Sequence, residues 1–149
     1  MGIPYSCPHG RYFQRRAVRA FLKINPNSRI PAIVDSAGAG GEPISVFESG
    51  AILIYLGEKT GKFWPKSDFG AQVPVLEWLM SPVGGFGPMP HQFHFLTVKN
   101  EADRRYGIER YSKDTRRRYG VLDKRLGEAK FVGGDISIGD FSQGDDGFA

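Results

Sequence analysis

Asn25-Pro26-Asn27-Ser28-Arg29-Ile30-Pro31-Ala32-Ile33-Val34-Asp35, then Pro43-Ile44-Ser45-Val46-Phe47-Glu48-Ser49-Gly50-Ala51-Ile52-Leu53, are the two stretches from which the fold of this 149-residue chain can be read. Pro26 biases Asn25 away from helix, and the Asn and Ser side chains favour turns, so the first stretch opens with a stop. Pro31 to Asp35 and Pro43 to Phe47 are β-branched, apolar runs joined by the glycine-rich Ser36 to Glu42. At this spacing they predict an antiparallel hairpin. Ser49 then opens a helix with Ile52, Leu53, Tyr55 and Leu56 at helical spacing, and Gly61 is placed to end it as a left-handed cap.

Outward from this centre the signals alternate between helix and break. Met1 to Gly10 is rich in turn formers and gives no clear strand, whereas Arg11 to Lys23 predicts one short helix. Lys62 to Asp68, with Phe63-Trp64-Pro65, reads as a linker anchored by aromatics, and the chain is divided into residues 1–64 and 65–149. Pro74 suits a first helical turn, with Val75, Leu76, Leu79 and Met80 as a buried stripe. Pro82, Gly84-Gly85, Gly87-Pro88 and Pro90 are expected to break or kink that helix. Asn100 is placed to cap a long helix to about Ala129, with Ile108, Tyr111, Thr115, Tyr119, Leu122 and Leu126 as its stripe. Glu101–Arg105 and Glu109–Lys113 are spaced as i,i+4 pairs on its other side.

Composition sets the outer limits. Hydrophobic residues make up 40% and charged residues 24%, as in globular rather than disordered chains. No apolar run approaches the roughly 20 residues needed to span a membrane. A single cysteine, Cys7, leaves no intramolecular disulfide and fits a reducing compartment, with cytoplasm as the expectation. The net charge of +4 reads as a mixed surface with a basic excess. Arg15-Arg16, Arg104-Arg105 and Arg116-Arg117-Arg118 raise nucleic acid as a partner, but the helical pairs already answer several of these charges. Neither nucleic acid nor membrane is the expected partner.

The chemistry-bearing residues flank the hairpin. A small acidic peptide needs N–H groups or cations for its carboxylates, a carboxylate for its ammonium and a strand edge for its backbone. Arg29-Ile30-Pro31 with Glu48-Ser49 offers each of these. A cis Ile30–Pro31 bond would present the N–H and C=O of Ile30 to an extended peptide. Ser49 stands at a helix start, where free N–H groups and the helix dipole favour a carboxylate. Alone, Ile-Pro also reads as a trans strand start, and Glu-Ser as a plain cap. Their order along the chain is what gives them weight.

That order, from Asn25 to Asp35 and from Val46 to Lys59, resembles glutathione transferases, most nearly the bacterial Nu class with its glutathione-dependent disulfide reductase activity. Leu76-Glu-Trp-Leu79 with Gly84-Gly-Phe-Gly-Pro-Met89, Ile108-Glu-Arg-Tyr111 with Val121-Leu-Asp-Lys-Arg-Leu126, and Phe131-Val-Gly-Gly-Asp135 with Ser137-Ile-Gly-Asp140 resemble its later helices and capping box. The resemblance covers about Phe21 to Asp140. It implies an α/β plus all-α chain: a partial thioredoxin-like β-β-α half domain, then a truncated helical domain. It also implies glutathione as ligand or substrate with no metal, a disulfide or electrophilic small molecule as second partner, and a homodimer. Arg29 and Ile30 would flank the glutathione backbone, with Pro31 the cis-proline, Glu48 and Ser49 would hold its γ-glutamyl end, and Arg110 would reach it from the helical domain.

Two departures limit what carries over. The class activates the glutathione thiol with a Thr-Pro-Asn segment, and this sequence has none, so the catalytic residue is left unassigned. Cys7-Pro8 invites comparison with transferases that use Cys-Pro there. Too little chain separates Pro8 from Ile30 for the intervening elements, and Cys7 reads as a free, partly exposed thiol. The expected function is therefore that of the family with impaired turnover, and the alternative is a non-catalytic interaction or dimerisation module.

Overall fold

The computed structural model describes residues 1–7, 15–98 and 104–143, and the chain divides into two compact units, Met1–Lys62 and Phe63–Ala149. In the first unit, α1 (Arg15–Leu22) is followed by β1 (Ala32–Asp35), β2 (Ile44–Phe47) and α2 (Ser49–Thr60). The strands pair antiparallel in the register Ala32↔Phe47, Ile33↔Val46, Val34↔Ser45 and Asp35↔Ile44. With a side-chain period of two, Ile33, Asp35, Ile44 and Val46 share one face, and the bonds of Asp35 to Tyr55 and Lys59 identify it as the face under α2. On the other face Val34 is 54% and Phe47 37% exposed, the open apolar surface expected for so small a sheet. Gly61, at φ 65° and ψ 16°, ends α2 by donating its N–H to the carbonyl of Gly57 at 2.8 Å.

The second unit is helical. Asp68 caps α3 (Phe69–Ser81) by accepting the N–H of Ala71 at 3.0 Å, so the helix begins well before Pro74 and the proline lies inside it. Val75 and Leu79 are buried as expected, but Met80 is 44% exposed. The proline and glycine run after α3 interrupts the α-helical ladder, as expected, and does so with a π turn rather than a loop. Pro82–Phe86 forms one wide π turn, closed by the Gly87 N–H on the carbonyl of Pro82 at 2.9 Å, and α4 (Pro88–Val98) follows. Pro82, which lacks an N–H, and Gly84 and Gly85, which lack side chains, allow the turn to widen here.

The long helix, α5 (Arg104–Glu128), packs on α4 and carries no fully buried residue, so its expected stripe is a half-covered one. Asn100 and Glu101 lie outside the described residues. The ion pairs on α5 join Asp114 to Arg117 at 2.7 Å and to Arg118 at 2.8 Å; the expected Glu109–Lys113 pair is not among them. The unit's core is Trp64, Val75, Leu79, Phe86, Val132 and Ile138. The capping box completes it: Asp140 accepts the N–H of Val132 on Oδ1 at 2.9 Å, and the N–H and O–H of Ser137 on Oδ2 at 2.9 and 3.1 Å. Phe63 packs edge-to-face on Phe141 at 5.0 Å, and its carbonyl accepts the N–H of Ile138 at 2.9 Å. No described helix is long and apolar enough to cross a membrane.

Candidate functional site

The loop that leads into β1 is organised by one buried polar residue. Asn25 is 2% exposed, its side chain accepts the N–H of Asn27 at 2.9 Å, and it donates to the carbonyl of Arg29 at 2.6 Å. Its own carbonyl accepts the N–H of Ser28 at 3.0 Å, and Ser28 takes a left-handed φ of 54°. A short side chain that serves as donor and acceptor at once can shape such a turn. Sequence reasoning gave Asn25 only a turn-forming role. The Ile30–Pro31 peptide that follows is cis.

Register then decides what faces what. The ladder ends at the Ala32↔Phe47 pair, so the next residues outward, Pro31 and Glu48, stand at the same end of the hairpin. Glu48 is the residue before α2, with φ 72° and ψ 123°, a conformation that L side chains rarely adopt. Its side chain makes no capping bond, while its carbonyl accepts the N–H of Ile52 at 2.9 Å as the first bond of the helix. The N–H groups of Ser49, Gly50 and Ala51 precede that bond and have no acceptor within the helix. Arg29, Ile30, Pro31, Glu48 and Ser49 are all exposed, with Ile30 at 77%. One end of the first unit thus presents an apolar side chain, a strand start, a cation, a carboxylate and a helix N-terminus. Such a set can take a small peptide bearing both charges.

Arg110 lies in the second unit, exposed on α5, where it donates to the Tyr106 hydroxyl at 3.3 Å. Cys7 is exposed with a free thiol. Five of the six residues singled out from sequence therefore share one end of one unit.

A cluster not foreseen from sequence lies at the other end of the hairpin. The Asp35 carboxylate accepts the Tyr55 hydroxyl at 2.6 Å, the Lys59 ammonium, and the N–H of Ala37 at 3.0 Å. Lys59 also donates to the carbonyl of Ala37 at 2.7 Å. Lys59 first, then Tyr55 and Ala37, hold the Asp35 carboxyl down at about 2, and the carboxylate in turn raises the Tyr55 hydroxyl. The signal was present as Tyr55 and Lys59 four apart on one helix, but nothing local names a strand residue 20 positions upstream as their partner.

No family model matches the chain. It is 48% identical over 124 residues to the disulfide-bond oxidoreductase YfcG of Escherichia coli, covering 82% of this chain and 57% of the relative. It is 43% identical over 122 residues to the disulfide-bond oxidoreductase YghU of the same organism, covering 77% of this chain and 39% of the relative. A glutathione transferase family member from Pseudomonas fluorescens, solved with two glutathione bound, superposes with a TM-score of 0.76 at 40% identity over 82% of this chain and 55% of its own. A glutathione transferase from Pseudomonas putida, solved with one glutathione disulfide per subunit, gives 0.76 at 39% identity over 82% and 54%. The chain spans about half the length of the relatives it matches. In sequence and fold alike, from the β-β-α half of a thioredoxin-like domain to the helical domain after it, the chain belongs to the glutathione transferase superfamily.

Proposed function

We propose that Arg29, Ile30, Pro31, Glu48 and Ser49 form a glutathione-binding half site, with Arg110 as a further contact carried over by resemblance. The observation that supports it is the hairpin register, which leaves Pro31 and Glu48 at one end beside the start of α2. The γ-glutamyl carboxylate takes the free N–H groups of the first turn and the Ser49 hydroxyl. A carboxylate there gains about 0.3–1 kcal/mol at an exposed helix terminus and up to ~2 when partly buried. The γ-glutamyl ammonium pairs with Glu48, the cysteinyl backbone runs along Ile30, and Arg29 meets the remaining carboxylate. The expected affinity is millimolar or tighter, about −4 kcal/mol or better.

The activity we assign is glutathione-dependent disulfide reduction or glutathione transfer, with a disulfide or an electrophilic small molecule as second substrate and a homodimer as the assembly. The named activity of the two Escherichia coli relatives and the glutathione disulfide in a solved neighbour favour disulfide chemistry. No Thr-Pro-Asn segment lies among these 149 residues, which leaves the thiol-activating residue unassigned in them. The second reading is a module that binds or dimerises without thiol chemistry, which the half site, lying wholly within these residues, would serve equally.

Calorimetric titration with glutathione, followed by turnover of a model disulfide, separates the readings. Heat with turnover supports the enzyme, and heat without turnover supports the module. No heat at several millimolar glutathione ends the proposal.

A further inference from the structure

We propose that Asp35, Tyr55 and Lys59 form a positioning clamp that fixes the angle between the hairpin and α2, and so keeps Ser49 aimed across the site from Ile30 and Pro31. This inference rests on the glutathione half site proposed above.

The hairpin and α2 meet at one covalent joint, Glu48, and from it both run toward the Asp35, Tyr55 and Lys59 cluster. Along α2, Tyr55 lies about 9 Å and Lys59 about 15 Å from Ser49. Along β1, Asp35 lies about 10 Å from Ala32. The three residues therefore close the far side of a wedge whose vertex is the proposed site. A movement of about 1 Å at such a distance from the vertex turns α2 by roughly 5°, and useful site geometry tolerates only about 10–20°.

Packing alone fixes this angle weakly. Among the described large apolar side chains of the first unit, Ile52 is the buried one, at 8% exposure. The joint itself is held at φ 72°, a conformation that persists only when its surroundings impose it. The clamp supplies directional bonds instead. Both Asp35 carboxylate oxygens are engaged, one by Ala37 within the loop and the other by two side chains of α2. Lys59 fastens the same loop a second time through the carbonyl of Ala37. The Asp35 side chain is 16% exposed, shielded enough for these bonds to hold their geometry.

Full-length Tyr55→Phe, Lys59→Met and Lys59→Arg proteins test the clamp in two measurements. Calorimetry with glutathione reads the site, and amide hydrogen exchange at Ile52, whose N–H makes the first bond of α2 to the carbonyl of Glu48, reads the vertex without ligand. Tyr55→Phe is expected to weaken glutathione roughly fivefold and Lys59→Met roughly tenfold, with faster exchange at that amide and a folded circular dichroism spectrum. Lys59→Arg is expected to restore affinity to within about twofold. Folded variants that bind and exchange like the parent overturn the clamp and leave the half site standing. If the parent itself shows no heat, the half site falls, and unchanged exchange in Tyr55→Phe then overturns the clamp independently. Should Lys59→Met fail to fold, Tyr55→Phe, which keeps the ring, still decides.

Discussion

The guanidinium of Arg118 occupies the space that a Cβ on Gly85 would need: its Nη1 lies 1.8 Å and its Cζ 2.5 Å from that point. Arg118 is also anchored, with Nε on Asp114 at 2.8 Å, so the arginine cannot withdraw without loosening that pair. Gly85→Ala is therefore set between two opposed effects. Replacing glycine within a helical path gains about 0.5–1 kcal/mol, whereas displacing a partly shielded ion pair and its packing costs more. We expect Gly85→Ala to destabilise the protein by about 1 kcal/mol, and the same change in an Arg118→Ala background to be neutral or stabilising. Urea denaturation of the four proteins as a double-mutant cycle reads this sign change directly.

Asp140 is a second residue whose removal should register strongly. Its carboxylate accepts the N–H of Val132 and both the N–H and O–H of Ser137, in a unit whose core includes Val132 and Ile138. Deleting it strands donors away from water, at about 1–3 kcal/mol each. We expect Asp140→Ala to cost at least ~2 kcal/mol and Ser137→Ala about 1 kcal/mol, measured by thermal denaturation. Equal effects would show that the box acts only as an ordinary cap.

The acid limb of stability should carry the mark of Asp35. Its folded value, about 2, lies below the ordinary 3.8, so the folded state binds this proton less readily than the unfolded chain does. Its contribution is accordingly complete above about pH 4 and fades as pH falls toward 2. Asp114, lowered by Arg118 and Arg117, acts in the same direction. Lys59→Met removes the largest cause of the Asp35 shift, and Asp35→Asn removes the titration. Both variants should show a flatter loss of denaturation midpoint between about pH 4 and 2 than the parent, and an identical slope would contradict the assignment.

Much of the first unit was legible because its signals are local. β-Branched runs, a glycine-rich connection and Gly61 after an apolar helix leave few alternatives, and β1, β2 and α2 form within a residue or so of expectation. The second unit was harder, because Pro74 carries a strong local meaning that the environment overrode, and because the Pro82–Pro90 run signals an interruption without saying that it takes the form of a π turn. Asp68 supplies a cap that moves the helix start upstream of Pro74, and a π turn absorbs Pro82 and the two glycines. The clamp was invisible for a different reason. Tyr55 reads only as one of the residues at helical spacing, whereas its hydroxyl reaches a partner 20 residues away.

Glu48 joins stability and binding at a single position. With φ at 72° it holds a conformation that costs an L residue about 1–3 kcal/mol and costs glycine little. Its exposed side chain makes no capping bond that would explain a glutamate there. If the carboxylate serves the ammonium of glutathione, Glu48→Gly should relieve the backbone and remove the ligand contact together. We expect a gain in unfolding free energy of up to about 1 kcal/mol, reduced by the extra freedom glycine gives the unfolded chain. Glutathione affinity should fall roughly tenfold in the same protein, or about 1.4 kcal/mol. Glu48→Gln separates the two contributions, since it keeps the strained backbone and removes only the charge. It should lose affinity with no gain in melting temperature. Calorimetry and thermal denaturation on both proteins check the pair, and a Glu48→Gly variant that binds like the parent would remove Glu48 from the site.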